Sequence, residues 1–389
     1  MKIGMLVNNL EVSGGYQKLV IRLAQQLMRL KHEVIVYSPV VDKNQCYPDS
    51  IGDLNIVTIE NGSNKPLSER FRELAQKVAP DTQAIIIHDE LSLIAIACLP
   101  KTQIKSIVWM LNNQFPEGLG KYKAELTSIA KTKYVSNKDK RTDLINNANR
   151  IHLMKKGLRK ITSFAVYDSF NGSLVEKHLG KKADFVAAGA DLDQFIPLSK
   201  ARKYIEKSEY TILSVGVLFP HRRYEDLILA TKLLVDENKP MKTIIVGRQD
   251  LSPEYFTLLK NLTKELGVQK HVTFMNYVTD KEMTELYKKS DAFIFINDGF
   301  TWGISVFEAV AAGLPCVITD NIGAADLITN RKTGWIVKPQ SPREVADAIN
   351  DIVTDRKHTD SVAKEANKTL AEFVSWSAYT QRMLKLIKA

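Results

Sequence analysis

Residues 292–315 read AFIFINDGFTWGISVFEAVAAGLP, and this stretch decides the fold class. An apolar run at 292–296 leads through a short loop into a helical pattern that ends at Gly313-Leu314-Pro315, a stop signal for a helix. A buried strand followed by a loop and a helix is the repeating unit of parallel α/β sheets. The loop after such a strand lies at the edge where open α/β sheets bind their ligands.

The same unit recurs through the chain in two series. In the first, we predict strands at 2–8, 33–37, 84–88 and 104–110, with a helix at 16–30. The second starts near residue 210, with predicted strands at 211–216, 242–247, 272–275 and 291–296 and helices at 224–236 and 253–266. We therefore predict an α/β protein with two Rossmann-like, doubly wound parallel sheets facing across a cleft to which both contribute. The boundary is predicted near residue 198 or 199.

Composition and charge narrow the function classes. With 389 residues, 44% of them apolar, the chain is long enough for two cores, but no apolar run is long enough to cross a bilayer. No signal-peptide pattern opens the sequence, so we expect a cytoplasmic protein. Neither the three cysteines nor the seven histidines show metal-ligand spacing.

The net charge of +10 is concentrated at residues 121–160, which hold twelve lysines and arginines against three acidic residues. Such a segment predicts peripheral binding to an anionic membrane surface. Nucleic acid is not expected, because no interleaved aromatic residues or recognised binding motif accompany the charge. An ordinary solvated face is the alternative.

Two loops carry candidate phosphate contacts. Gly14 and Gly15 stand at a predicted helix start, where backbone N–H groups can approach a phosphate, although paired glycines also occur in ordinary tight turns. Arg222 and Arg223 follow the strand that ends at Gly216, a position suited to gripping a diphosphate. The alternative for these arginines is salt bridging to the acidic residues at 225 and 226.

Glu308 lies near the start of the helix in the opening stretch. A carboxylate there can accept hydrogen bonds from ribose hydroxyls, while the N–H groups around Gly303 and Ile304 address a phosphate. The alternative is structural, because Ser305 and Glu308 have the spacing of a capping box.

Taken in this order, the motifs resemble glycosyltransferase family 4, the retaining nucleotide-sugar enzymes of GT-B fold, over most of the chain. The segments that carry the resemblance are Gly14-Gly15, residues 189–195, 216–223, Gly247, 286–291 and 302–315. The resemblance implies an amino-terminal acceptor domain at 1–198, a donor domain at 199–370, and a helix at 371–389, containing Trp376, that crosses back to the first domain.

The resemblance also implies an activity. It is that of a hexosyltransferase which moves a sugar from a UDP- or GDP-sugar to a glycan or lipid-linked acceptor in cell-envelope or polysaccharide biosynthesis. The diphosphate leaving group would take the acceptor's proton, and no metal is expected, because no Asp-x-Asp pair stands at a strand end. The alternatives are a non-catalytic sugar-nucleotide or glycan-binding protein and another GT-B enzyme, such as a nucleotide-sugar epimerase or an inverting transferase.

This sequence departs from the family pattern at two donor positions. Val217 stands where the family has an arginine, and Phe300 stands where it has the first of two glutamates, with Asp298 a candidate substitute. The implied donor-site residues, most of which follow strand ends, are Gly14, Gly15, Gly216, Arg222, Arg223, Tyr277, Val278, Asp298, Phe300, Thr301, Trp302, Gly303, Ile304 and Glu308.

On the acceptor side, many relatives place a histidine after the strand that matches residues 104–110. This sequence has Asn112 in that region, and His88 at the end of the preceding strand is the nearest imidazole. Both are candidates for the catalytic region beside Arg222 and Glu308, although His88 also fits the pattern of a structural strand-end histidine.

Overall fold

The computed structural model describes residues 1–12, 14–100, 104–111, 140–299 and 301–388. Within them the chain divides into two compact units. Unit 1 comprises the described residues up to Gly189 together with residues 376–388, and unit 2 comprises Ala190–Ser375. The sequence-based boundaries at 198 and 370 both fall inside unit 2.

Unit 1 is a parallel sheet of seven strands in the order β3-β2-β1-β4-β5-β6-β7. Its strands are β1 (Lys2–Leu6), β2 (Glu33–Tyr37), β3 (Ile56–Val57), β4 (Ala84–Ile87), β5 (Ser106–Leu111), β6 (Ser163–Val166) and β7 (Asp184–Phe185). Its helices are α1 (Gly15–Arg29), α2 (Pro48–Ile51), α3 (Leu67–Gln76), α4 (Ser92–Cys98), α5 (Lys140–Leu158), α6 (Ser169–Leu179) and the last helix of the chain, Trp376–Lys388.

The central strands of unit 1 are apolar because both of their faces are covered. All four residues of β4 and all six of β5 are buried, as expected for strands enclosed by crossover helices. The last helix packs against α1 and β5, and Trp376 lies so close to Gly189 that a Cβ there would be 2.4 Å from the indole ring. The predicted carboxyl-terminal helix is therefore confirmed, and Gly189 is the residue that allows it to approach.

Unit 2 is a parallel sheet of six strands in the order β10-β9-β8-β11-β12-β13. Its strands are β8 (Tyr210–Val215), β9 (Met241–Val246), β10 (Val272–Met275), β11 (Ala292–Phe295), β12 (Cys316–Thr319) and β13 (Trp335–Val337). Its helices are α7 (Ile196–Ala201), α8 (Tyr224–Asp236), α9 (Pro253–Glu265), α10 (Asp280–Lys289), α11 (Ile304–Ala311), α12 (Pro342–Thr354) and α13 (Arg356–Phe373); the last helix is α14 in chain order.

Arg202, directly after α7 in unit 2, binds the carboxyl ends of two other helices. Its guanidinium donates to the carbonyl oxygens of Tyr287 at 2.6 Å, Ser290 at 2.7 Å and Ala312 at 3.0 Å. These carbonyls lie at the carboxyl ends of α10 and α11, which carry unsatisfied acceptors and partial negative charge. One arginine thus donates hydrogen bonds to the free carbonyl groups at the ends of two helices.

In each sheet the strand order reverses once. The reversal lies between β1 and β4 in unit 1 and between β8 and β11 in unit 2. The carboxyl ends of the strands at such a point are where open α/β sheets bind ligands. The two reversals therefore define where each unit should hold its functional residues.

Candidate functional site

The reversal in unit 2 brings together the loop after β8 and the end of β11. Arg222 ends a short 3-10 turn, Pro220–Arg222, in the first of these, and its guanidinium carbon lies 3.7 Å from the centre of the Phe295 ring in the second. This is a cation–π contact, in which the ring face attracts the positive charge. The contact fixes the arginine at the predicted edge of the sheet.

The charge of Arg222 is buried, and the described residues supply no counter-ion for it. Its side chain is 5% exposed, and Nη2 donates to the carbonyl oxygen of Val215 at 3.1 Å. Within the described part of the chain, Nε has no hydrogen-bond partner and no carboxylate forms an ion pair with the guanidinium. A guanidinium offers five N–H donors, so most of them remain for an anionic ligand.

Glycine is required beneath this arginine. A Cβ at Gly216 would lie 2.3 Å from Nη2 of Arg222, and a Cβ at Gly247, after β9, would lie 2.1 Å from the carbonyl oxygen of Gly216. Real Cβ atoms do not approach other heavy atoms so closely. The two glycines therefore let the ends of β8 and β9 close up under the guanidinium.

Arg223 points to other partners. Its side chain pairs with Glu225 at 2.8 Å and donates to both oxygens of Asp226, at 2.8 and 2.9 Å. This is the salt bridging that the sequence left open as the alternative. The two adjacent arginines are therefore different, because Arg223 neutralises two carboxylates at the start of α8 whereas Arg222 has none.

The loop after β11 is held on both sides. The Asp298 N–H donates to the carbonyl oxygen of His221 at 2.7 Å, and its carboxylate accepts from the Gln340 amide at 2.9 Å. Asp298 is thus near the Arg222 turn, although one of its oxygens is already engaged. Phe300, the position of the missing glutamate, lies outside the described residues.

The rest of this loop packs against the turn that follows β12. The carbonyl oxygens of Thr301 and Trp302 accept from the N–H groups of Gly323 at 2.8 Å and Ala324 at 3.0 Å. The Trp302 ring is buried and lies 5.2 Å from the ring of Phe307. Trp302 therefore contributes packing to the predicted donor loop.

Helix α11 begins at Ile304 after Gly303, which has a φ of 87°. This left-handed conformation favours glycine, and no side chain caps the helix. The capping box that the sequence left open for Ser305 and Glu308 is therefore not formed. The first N–H groups of α11 receive no side-chain cap and point out of its amino terminus.

The Glu308 carboxylate instead faces α10. The Tyr287 hydroxyl donates to Glu308 Oε2 at 3.2 Å and lies 3.4 Å from the Ser305 carbonyl oxygen. Glu308 itself is partly buried, one helical turn into α11. A carboxylate anchored on one side by a tyrosine is suited to accept hydrogen bonds from a ligand hydroxyl.

Tyr277 and Val278 follow β10 at the edge of the sheet. The Tyr277 side chain is 78% exposed, whereas Val278 is partly buried just before the capping box of Thr279 and Glu282 that starts α10. An aromatic ring left so exposed is available for stacking. Whether it contacts a nucleotide base remains a prediction.

At the reversal in unit 1, Gly14 is the N-cap of α1 and Gly15 its first residue. Among the described residues no side chain caps this helix, and a Cβ at Gly15 would meet nothing within 4 Å. The carbonyl oxygen of Gly14 accepts from the Tyr47 hydroxyl at 3.1 Å. A phosphate contact at this helix start stays a prediction.

His88, directly after β4, is buried, and its ring lies 6.4 Å from that of Tyr16. Burial lowers the pKa of His88 to about 3, so the imidazole is neutral at physiological pH. A group of this kind cannot serve as a protonated acid near pH 7. Asn112, the second acceptor-side candidate, lies outside the described residues.

The neighbour of His88 has a role that the sequence does not reveal. The Asp89 carboxylate accepts from the Tyr16 hydroxyl at 2.9 Å and from the N–H groups of Asn8 at 2.7 Å and Ser92 at 2.9 Å. It therefore ties the ends of β1 and β4 to the first turn of α1, beside Gly14 and Gly15. Burial, with the nearby charge of Glu90, raises the pKa of Asp89 to about 6.

The basic residues at the described end of the segment, at positions 155–160, differ in their contacts. Lys160 donates to the carbonyl oxygens of Ile96 at 3.0 Å and of Ala97 and Leu99 at 3.5 Å, and so caps the carboxyl end of α4. Lys155, Lys156 and Arg159 are exposed. Residues 121–139 lie outside the described residues.

Two features are absent from the residues that the structure describes. No helix in them is long and apolar enough to span a membrane. In the same residues no three histidine, cysteine, aspartate or glutamate side chains gather as a metal site.

The geometry can be compared with known proteins. Residues 196–369 match the family model described as glycosyl transferases group 1. An uncharacterized glycosyltransferase of Methanocaldococcus jannaschii is 27% identical over 184 residues, 47% of this chain and 46% of the relative. A GDP-mannose-dependent alpha-(1-6)-phosphatidylinositol monomannoside mannosyltransferase of Mycobacterium tuberculosis is 24% identical over 217 residues, 53% of this chain and 55% of the relative.

Among solved structures, Anabaena HepE in complex with UDP superposes with a TM-score of 0.76 and 16% identity, covering 100% of both chains. The chain has the GT-B fold. At this level of identity the superposition shows the fold alone. The match to the curated relatives spans about half of their length.

Proposed function

We propose that this protein is a glycosyltransferase that moves a sugar from a UDP- or GDP-sugar to a glycan or lipid-linked acceptor, with retention of anomeric configuration. The observation that carries the proposal is Arg222, a buried guanidinium at the strand-order reversal of the unit that matches the group 1 model, with no carboxylate partner in the part of the chain that the structure describes. A cation in this position requires an anion, and a diphosphate supplies it.

In the proposed reaction, Arg222 stabilises the charge that develops on the diphosphate as the sugar departs. Fixed donors in a water-poor site are effective here, because they need no reorganisation during the reaction. The uncapped amino terminus of α11 can add backbone N–H groups, and Glu308 can accept from ribose hydroxyls. The leaving diphosphate then takes the proton of the acceptor hydroxyl, so no protein base is required.

The neutral state of His88 agrees with this mechanism. Since its pKa lies near 3, His88 is uncharged across the physiological range and can accept or donate one hydrogen bond without a charge. We propose a role for it in unit 1 in orienting the acceptor rather than in acid catalysis. Gly14 and Gly15 stay a predicted phosphate loop.

The proposal is tested by thermal shift and nucleotide release across UDP-, GDP- and ADP-sugars, because a ligand that binds only the folded state raises its stability. Stabilisation by one donor, with slow release of its nucleotide, supports a transferase and identifies the base. Analysis of the product anomer then tests retention. Stabilisation without release, even when glycan and lipid acceptors are added, would favour a binding protein.

We further propose that the reaction needs no metal ion, since Arg222 supplies positive charge at the diphosphate. Activity measured after treatment with EDTA should equal that of the untreated protein. Loss of activity that returns with Mg²⁺ or Mn²⁺ would contradict this part of the proposal.

We also propose that the protein docks peripherally on an anionic membrane surface, at the cytoplasmic face, to reach a lipid-linked acceptor. Lys155 and Lys156 are exposed at the end of α5, and each cation near such a surface contributes about 1 kcal/mol. Changing both to glutamate should reduce flotation with acidic liposomes. The same change at the exposed Lys357 and Lys368 is the matched control, and equal binding of the wild type to neutral vesicles would reject the electrostatic account.

A further inference from the structure

Tyr287 lies on α10 at the back of the proposed donor site. It is fully buried, with its ring 4.8 Å from that of Phe195 in an edge-to-face contact and 5.8 Å from that of Phe293. The only polar part of the side chain is its hydroxyl, which meets Glu308 Oε2 at 3.2 Å and the Ser305 carbonyl oxygen at 3.4 Å. Both of these partners belong to α11.

The direction of the hydrogen bond is fixed. Burial, together with the charge of Glu308, raises the pKa of Tyr287 well above its ordinary value, so the hydroxyl keeps its proton. A protonated hydroxyl opposite a carboxylate donates to it. Glu308 is therefore held by a donor that does not titrate in the working range of the protein.

The helix that carries Tyr287, α10, is fixed at its carboxyl end by Arg202. Arg202 donates to the Tyr287 carbonyl oxygen at 2.6 Å and to the Ala312 carbonyl oxygen, just after α11, at 3.0 Å. The same guanidinium thus joins the carboxyl ends of the two helices whose side chains meet at the Tyr287–Glu308 hydrogen bond. The position of the Tyr287 hydroxyl relative to the Glu308 carboxylate is therefore set by their own hydrogen bond and by the hydrogen bonds of Arg202 to both helices.

We propose that Tyr287 is a positioning residue that orients the Glu308 carboxylate toward the ribose hydroxyls of the donor. The inference rests on the proposed function, because it takes Glu308 as a contact of the nucleotide. A glutamate side chain has several rotamers, and a ligand that needs one of them binds more weakly when the side chain also populates the others. A hydrogen bond to a charged acceptor that selects one rotamer is expected to change affinity about tenfold.

The test is a double-mutant cycle on nucleotide binding. The variants are Tyr287→Phe, Glu308→Gln and both together, and the probes are UDP, GDP and their 2′,3′-dideoxy forms, measured by calorimetry. Tyr224→Phe is the matched control, since Tyr224 is also buried in unit 2 and its hydroxyl has no hydrogen-bond partner among the described residues. Tyr287→Phe removes one oxygen and keeps the ring against Phe195 and Phe293, and thermal melting verifies that the variant folds.

We expect Tyr287→Phe to raise the Kd of the ribonucleotide about tenfold, to leave the Kd of the dideoxy form unchanged, and to add nothing to Glu308→Gln in the double variant. An unchanged Kd overturns the inference. Equal weakening for both forms of the nucleotide, or additive effects in the cycle, overturns it as well, because the tyrosine would then act on the structure at large. If the wild type binds neither UDP nor GDP, the proposed function fails, and this inference with it.

Discussion

The guanidinium of Arg222 lies 3.7 Å from the centre of the Phe295 ring, so a buried cation rests on an aromatic face instead of on a carboxylate. A cation–π contact contributes about 0.5–2 kcal/mol, less than the several kcal/mol that removing an ion from water costs. The side chain is therefore unlike an ordinary salt-bridged arginine. Its position is explained if a bound anion completes the interaction.

Arg222→Met should separate stability from binding. Methionine fills a similar volume without the charge, so we expect an unchanged or higher melting temperature, while the affinity for UDP or GDP falls about a hundredfold or more. Thermal melting and calorimetry on the same preparation measure both. A variant that melts earlier and binds as the wild type does would show that Arg222 is a structural residue.

Gly216→Ala tests the same site through the backbone. The added Cβ would lie 2.3 Å from Arg222 Nη2, so the guanidinium must leave its place over Phe295. We expect nucleotide affinity to fall at least tenfold, with the fold retained. Gly52→Ala is the control, because a Cβ at Gly52 would meet nothing within 4 Å and the φ of −61° suits alanine. Equal nucleotide affinities of the two variants would rule out a nucleotide contact that depends on Arg222 lying over Phe295.

Arg223→Gln should have the opposite effect to Arg222→Met. It leaves the buried carboxylate of Asp226 without the arginine that now donates to both of its oxygens. An unsatisfied buried group of this kind costs about 1–3 kcal/mol. We expect a lower free energy of unfolding in urea and a nucleotide Kd within about threefold of the wild type. A Kd raised as far as in Arg222→Met would instead assign Arg223 to the diphosphate.

Much of the fold can be predicted from the sequence, because helices cover both faces of a parallel sheet and its strands are therefore apolar. Residues 292–296 are a continuous apolar run and contain β11, whose residues are all buried, because helices cover both faces of the central strands; residues 211–216 include the polar Thr211 and Ser214 but form most of β8, which is also largely buried. The two series of alternating elements likewise predict two parallel sheets, whereas the order of the strands within each sheet is known only from the structure. The Arg222 turn lies at the predicted edge of the sheet, after β8, and its contact with a phosphate stays a prediction.

The side-chain contacts of the site do not follow from the sequence. Arg222 and Arg223 are adjacent and of one type, and only the positive φ of 48° at Arg223 and the turn before it send them to different partners. The Tyr287–Glu308 hydrogen bond joins two helices whose spacing is set by tertiary packing, which no local pattern encodes. Asp89 belongs to no motif, so its contacts with β1, α1 and α4 appear only once these elements are assembled.

Asp89 makes the stability of the protein depend on pH. Its pKa is raised from the ordinary 3.8 to about 6, chiefly by burial, so the folded state holds this proton more tightly than the unfolded state. The ionised carboxylate therefore lowers the free energy of unfolding. This loss of stability is complete above about pH 6 and disappears as the pH falls toward 4. Within that window the slope is at most about 1.4 kcal/mol per pH unit.

Comparison with Asp89→Asn isolates this group, since the amide does not titrate. Urea unfolding of both proteins between pH 4 and 8 should show that the wild type gains stability relative to the variant as the pH is lowered from about 6 to about 4, with a constant difference above pH 7. The carboxylate also anchors Tyr16 at 2.9 Å, so the variant should loosen the start of α1. If the difference between the two proteins were the same at every pH, Asp89 would titrate alike in the folded and unfolded states, and the hydrogen bonds from Asn8, Tyr16 and Ser92 would then fully offset its burial.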